Sequence, residues 1–269
     1  MKPVFSFQRG DAPVLVSVPH AGIYVPSSIK DRLTSGAREL PDTDWFVNLI
    51  YQWVTEKGGS LLIANYSRYV IDLNRPPDNA ALYSRAGTGL LPLQTFCGEP
   101  LYQAGMEPEA DEVMQRLRRF WKPYHQQLGS ELQRIKQRFG HAILLDAHSI
   151  LSEVPMLFDG VLSDFNLGSF AGASADPDLV SASMLALGTD PGFSLVLDGR
   201  FQGGYITRHY GVPLGGIHAL QLEIAQSAYM TEQHSAVAGR TYDESDALRL
   251  LPVLQGLIDT LLKWSPGHD

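Results

Sequence analysis

Ala142-Ile143-Leu144-Leu145-Asp146-Ala147-His148-Ser149 decides how this chain is read. It begins as a short apolar run, the pattern of a strand buried on both faces. It ends in an acid, a small residue, a histidine and a serine. Polar groups at the carboxyl end of a buried strand stand where open α/β sheets build their sites. An imidazole in that place can bind a metal or move a proton. The competing reading is a histidine merely satisfied at a strand end, so the question is what else converges on His148.

Upstream, Val14-Leu15-Val16-Ser17-Val18 reads as a strand stopped by Pro19 and followed at once by His20. Residues 42–57 read as a helix: Phe46, Leu49, Ile50 and Trp53 recur at helical spacing, acids open the segment and Gly58-Gly59 ends it. Leu61–Ala64 and Tyr69–Leu73 look like a strand pair, and Pro76-Pro77 then forces the chain out of the sheet. Residues 78–106 are rich in Gly, Pro and polar side chains and predict a long loop, the kind that can serve as a lid. Residues 108–139 predict helix, kinked or broken near Pro123.

Downstream, Met156–Phe158 is a short strand candidate. Residues 176–187 predict a helix with Asp176 as N-cap and Pro177 in the first helical position. Phe193–Leu197 reads as a strand, residues 199–216 as a glycine-rich structured loop, and Ala219–Ile224 as a last strand. Residues 246–262 predict an amphipathic helix with Leu251, Leu254, Ile258 and Leu261 on one stripe. Strands alternating with helices predict an α/β layered fold around a mixed, mostly parallel sheet. With no internal repeat or linker, residues 1–269 are expected to form a single domain.

Composition excludes several classes. The chain is 44% hydrophobic and 19% charged, which is ordinary for a globular protein. Its net charge is −8 with no basic block, against a nucleic-acid or anionic-membrane surface. No apolar run approaches a membrane span, residues 1–10 lack the apolar core of a signal peptide, and Cys97 is the single cysteine. A cytoplasmic protein is expected.

Three strand ends therefore offer polar groups: His20, Asp146 with His148, and Glu223. Two histidines and one carboxylate make a common catalytic zinc set whose fourth position is left to water. Asp44 is the candidate carboxylate, with Asp42 its near competitor; both could instead cap the expected helix. Glu223 alternates with the apolar Leu220, Leu222 and Ile224, so its side chain faces one side of the sheet, where a base for an activated water is needed. Arg75, locked by Pro76, and Arg208 in the glycine-rich segment could each grip a carboxylate through two parallel hydrogen bonds. His209 and His218 are reserves. The phosphate-cradling glycine patterns and the Gly-x-Ser-x-Gly nucleophile elbow are absent.

Taken in order, several stretches resemble one known family. They are Ser17-Val18-Pro19-His20-Ala21-Gly22, Asp42-Thr43-Asp44-Trp45, Asp72-Leu73-Asn74-Arg75-Pro76-Pro77, Leu145-Asp146-Ala147-His148-Ser149, Asp164-Phe165-Asn166-Leu167-Gly168, Gly199 through Gly211, and His218-Ala219-Leu220-Gln221-Leu222-Glu223. Together they resemble the N-formylglutamate amidohydrolases of bacterial histidine degradation. The resemblance implies hydrolysis of N-formyl-L-glutamate to formate and L-glutamate. It also implies a three-layer α/β/α, phosphorylase/hydrolase-like fold shared with zinc carboxypeptidases.

By the same resemblance His20 and His148 look like metal histidines, Asn74-Arg75 like a pair that holds a substrate carboxylate, and Glu223 like the general base. Carboxypeptidases place a glutamate three residues after the first histidine, where this chain has Ile23, so the acidic ligand must come from elsewhere. The reading that follows is one divalent metal, expected to be zinc, on His20, Asp44 and His148. Arg75 and Arg208 hold the two substrate carboxylates, Asn74 and Tyr205 add hydrogen bonds, and Asp146 orients a ligand histidine. Its rivals are a metal-dependent hydrolase of another N-acyl amino acid or small peptide, a metal-independent amidase using Asp146 and His148, and a non-catalytic protein that binds an acidic amino acid.

Overall fold

The computed structural model describes residues 2–80, 89–232, 242 and 244–267. Seven strands, β1 (Phe5–Gln8), β2 (Val14–Val18), β3 (Ser60–Ala64), β4 (Ala142–Ile150), β5 (Phe165–Gly168), β6 (Leu195–Leu197) and β7 (Ile217–Ala225), form a sheet in the order β1-β3-β2-β4-β7-β5-β6. Strands β3, β2, β4 and β7 are parallel. Strand β1 is antiparallel at one edge, β5 is antiparallel to β7, and β6 is parallel to β5. The sheet is mixed and mostly parallel, as its sequence predicts. The helices are α1 (Ser27–Lys30), α2 (Ser35–Arg38), α3 (Val47–Ile50), α4 (Ala110–Arg116), α5 (Lys122–Phe139), α6 (Pro177–Leu187), α7 (Tyr205–Tyr210) and α8 (Glu244–Lys263).

Both faces of the sheet are covered, which is why its central strands are apolar throughout. Val16, Leu145 and Leu222 share one buried cluster with Val47 of α3, Leu179 of α6 and Leu254 of α8. Leu15, Leu144 and Ala219 point the other way and share a second cluster with Leu128, Leu132 and Ile135 of α5. By strand alternation Ser17, Asp146, His148, Gln221 and Glu223 stand on this α5 face. The face is thus apolar where the strands start and polar where they end. The chain passes from β2 to β3 on one side and then returns to β4 on the other. This reversal opens a crevice at the carboxyl ends of β2 and β4, the usual place for a site in such sheets.

Several expectations change in the structure. The expected helix over 42–57 shrinks to α3 and a 3-10 turn at Gln52–Thr55, because Phe46 is left-handed (φ 63°) and residues 42–46 are irregular. Tyr69–Leu73 is buried but is not a strand: the amide of Val70 bonds the Ser67 carbonyl and that of Asp72 the Leu90 carbonyl. Met156–Phe158 is a turn closed by bonds to the Val154 carbonyl. The glycine-rich stretch over 199–216 contains α7, and the strand expected at Phe193 begins at Leu195.

Strands β1 and β5 were not foreseen. The break near Pro123 is a π-helical turn, Leu117–Trp121, which widens the helix where the proline supplies no donor. Asp176 caps α6 as expected, its side chain accepting from the Asp178 amide at 2.8 Å. Of the loop expected over 78–106, residues 81–88 lie outside the described residues; the rest is without helix or strand.

Candidate active site

His20 leaves β2 immediately after Pro19, and His148 stands two residues before the end of β4. Asp44 comes from the irregular segment ahead of α3, where its amide bonds the His20 carbonyl at 3.2 Å. That bond ties the two segments together and aims the carboxylate at the histidines. One ligand-capable atom from each of His20, Asp44 and His148 lies within 4.8 Å of the other two, and all three residues are buried. Asp42, the competitor, points elsewhere and accepts the Phe96 amide at 3.0 Å.

The outer nitrogen of each imidazole is held by a second carboxylate. His20 Nε2 lies 2.8 Å from Asp72 Oδ1, and His148 Nε2 lies 2.9 Å from Asp146 Oδ2. The Nδ1 atoms face Asp44 Oδ2, at 3.8 Å from His20 and 3.0 Å from His148. Carboxylates behind ligand histidines are how metal sites fix the tautomer and orient the ring. Two inward-facing imidazole nitrogens and one carboxylate suit a divalent ion of the zinc type. The residues present therefore fit such a group.

The supporting shell is continuous. Asp146 also accepts from Ser17 Oγ at 3.2 Å and Asn74 Nδ2 at 2.9 Å. Asn74 Oδ1 takes the Ile206 amide at 2.8 Å, which anchors the start of α7. A Cβ on Gly204 would stand 2.4 Å from the Asn74 amide, so this close approach requires glycine. Asp72 receives Arg68 Nη2 at 2.7 Å and the Asn74 amide at 2.9 Å. Burial alone would raise the Asp72 carboxyl, but His20, Arg68 and Arg75 outweigh it and hold the group well below the usual carboxylate range.

The two histidines are set apart in the same way. Burial and the Arg68 charge lower His20. Burial also disfavours a charged His148, but Asp146 and Asp44 outweigh it and raise that ring well above the ordinary value. A cation in the cluster would take over the role that the His148 proton plays between the two carboxylates.

Glu223 lies beside His148 in the β4–β7 register and accepts from Gln221 Nε2 at 3.2 Å. Burial, reinforced by the Asp44 and Asp146 charges, pushes its carboxyl up to about 8. A carboxyl so placed can take and return a proton near neutral pH.

These groups open into a cleft of about 560 Å³, counting space open to solvent. His20, Asp44, Asn74, Arg75, His148 and Glu223 all line it, with Arg68, Arg200, Phe96, Leu157 and Phe201. Asp146 lies fully buried beneath. Two expected residues are not part of the lining. Arg208 donates from Nε to the Gly203 carbonyl at 2.8 Å and lies 4.6 Å over the Phe170 ring. Tyr205 stacks on His209 at 4.8 Å. Asn74 lines the cleft, but its amide is engaged with Asp146 and Ile206.

The reserve histidines stand apart from the cluster: His218 accepts the Asp176 amide at 3.1 Å and His209 is exposed on α7. Asp72, Arg68 and Arg200 were missed. For Asp72 the available signal was an acid interrupting an apolar run just ahead of Asn74-Arg75.

Comparison with known proteins gives a consistent result. A family model described as N-formylglutamate amidohydrolase matches residues 12–230. A Pseudomonas putida protein named N-formylglutamate deformylase is 48% identical over 264 residues, which cover 98% of this chain and 97% of that protein. A protein of the same name from Pseudomonas aeruginosa is 49% identical over 264 residues, 98% of each. Among solved structures, an N-formylglutamate amidohydrolase from Ralstonia eutropha matches with a TM-score of 0.80 and 24% identity over 96% of this chain and 97% of that one. A gene product of Agrobacterium tumefaciens matches at 0.71 and 15%, over 97% and 95%. At these identities the two structures speak for the fold.

Proposed function

From the premise that this chain belongs to the N-formylglutamate amidohydrolase family, we propose that it hydrolyses N-formyl-L-glutamate to formate and L-glutamate, with the reaction centred on His20, Asp44 and His148. The observation that carries this reading is the buried cluster of those three residues with Glu223 beside His148 in the next strand. His20, Asp44 and His148 would hold a divalent ion, zinc by the chemistry of the donor set, which supplies Lewis acidity toward water and the formyl carbonyl.

The chain's own groups do the rest. Glu223 takes a proton from the attacking water and returns it to the amine nitrogen of the departing glutamate. Asp72 and Asp146 keep the two imidazoles in register for the ion. Arg75, on the cleft wall, grips a carboxylate of the substrate. Burial of the cluster limits the access of bulk water, which strengthens each of these interactions.

The test is formate release from N-formyl-L-glutamate by the protein as isolated, after chelation, and after zinc is restored. Release that a chelator abolishes and zinc restores supports both parts of the reading. Release indifferent to chelation removes the metal and favours a hydrolase using Asp146 and His148 directly. No release in any state, with other N-acyl amino acids hydrolysed instead, moves the substrate. Binding of glutamate without turnover of any of them would mark a sensor of acidic amino acids.

A further inference from the structure

We propose that Arg200 is the specificity-determining residue of this cleft, the group that selects a substrate side chain ending in a carboxylate. This assignment rests on the reading of the cleft as a site for N-formyl amino acids. A dicarboxylate substrate brings two negative charges, and three arginines line the cleft: Arg68, Arg75 and Arg200. Arg68 already answers buried carboxylates, bonding Asp72 at 2.7 Å with its other terminal nitrogen 3.9 Å from Asp44. Arg75 and Arg200 are the other two guanidinium groups on the cleft lining. The α-carboxylate is common to every N-formyl amino acid, whereas the side-chain carboxylate distinguishes glutamate from its neutral relatives. Discrimination therefore falls to whichever arginine meets the side chain.

The surroundings of Arg200 fit that task. Phe96, Ile150, Leu157 and Phe201 give the cleft an apolar wall, and the same four belong to a small core separate from the two that flank the sheet. Arg200 is fastened to this wall: Nε donates to the Leu157 carbonyl at 2.6 Å, and the guanidinium carbon lies 5.4 Å from the Phe201 ring centroid. An apolar wall with a guanidinium fixed on it offers contact to methylene groups and a partner to the charge beyond them. Arg75 sits elsewhere in the site, next to Asn74 and the carboxylates that brace the histidines, and its Nη1 bonds the Asn74 carbonyl at 2.9 Å. This places Arg75 at the constant end of the substrate and Arg200 at the variable end.

The experiment compares formate release from N-formyl-L-glutamate and from its uncharged isostere N-formyl-L-glutamine by the wild type, Arg200→Met and Arg75→Met. Arg200→Met is expected to lower kcat/KM for N-formyl-L-glutamate about 100-fold or more while changing that for N-formyl-L-glutamine by less than about threefold, so that the preference collapses. Arg75→Met is expected to lower both. Arg200→Lys, which keeps the charge without the planar fork, is expected to retain part of the preference, and it gives the same readout should the methionine variant not fold. An Arg200 variant whose preference ratio stays at the wild-type value overturns the role of Arg200 and leaves the hydrolase reading standing. Wild-type protein that releases formate from neither compound sinks that reading and this assignment with it.

Discussion

At Glu223 the proton acceptor can be removed without a change of shape: with Glu223→Gln, kcat for formate release should fall by about 10²- to 10⁴-fold while the melting temperature changes little. Glu223, His20 and His148 were legible because each sits at or just beyond the carboxyl end of an apolar run, where alternation and topology leave few alternatives. Asp44 was legible only as one of two acids, since an acid ahead of a helix can equally be its cap. Asp72 and Arg200 carry no periodic signal, and only the folded chain brings them to the cleft. Asp72→Asn acts behind His20 rather than on substrate. It should weaken zinc affinity about 10- to 100-fold, read by competition with a chromophoric chelator, and added zinc should restore part of the rate.

Elements were legible where one pattern dominated, as in β2, β4, β7, α6 and α8. They were misread where burial served the site. Tyr69–Leu73 has the apolar content of a strand, but its Val70 and Asp72 amides go to the Ser67 carbonyl and to the Leu90 carbonyl in a loop rather than to a neighbouring strand, and its aspartate turns inward to His20 and Arg68. Residues 42–57 have helical spacing, but the left-handed turn at Phe46 frees Asp44 from any capping role. In both places local propensity gave way to positioning of a side chain in the buried His20–Asp44–His148 cluster or against it, as functional sites often require. The start of α7 makes this testable. Gly204→Ala would drive a methyl group into Asn74, which braces Asp146 and through it His148. Formate release should drop at least about tenfold, by displacement of about an ångström in the site, while far-ultraviolet circular dichroism stays that of the wild type.

At the scale of the molecule, the sheet is covered on both faces, and the alternation of strands and helices predicted this layering better than it predicted any boundary. The α5 face also holds His125, buried between Leu73 and Tyr210, bonding the carbonyl of one at 2.9 Å and the hydroxyl of the other at 3.0 Å. Burial pushes its ring down to about 3, against 6.5 for an ordinary histidine. Above about pH 6.5 both folded and unfolded chains carry it neutral, and it adds no pH dependence. Below that, the unfolded chain takes a proton that the folded chain refuses, so stability falls as pH drops toward 3. Denaturant midpoints measured at pH 7.5 and pH 5 should show this loss, and His125→Gln should show a smaller one; an equal loss would remove His125 as a contributor. Leu254→Ala, in the core where α8 meets the sheet, should cost about 2–5 kcal/mol of stability at any pH.

The strand order also governs how the protein comes to exist. Strand β2 is made early, yet the neighbour that pairs along its inner edge is β4, and β4 in turn waits for β7 near the other end of the chain. During synthesis the inner edge of β2 must wait for β4, and that of β4 for β7, before the sheet can close, and pairings between such distant segments form slowly. Until then an unpaired, fully apolar edge is open to other nascent chains. Recovery of soluble protein should therefore depend more steeply on growth temperature and chaperone supply than the stability of the finished fold would suggest.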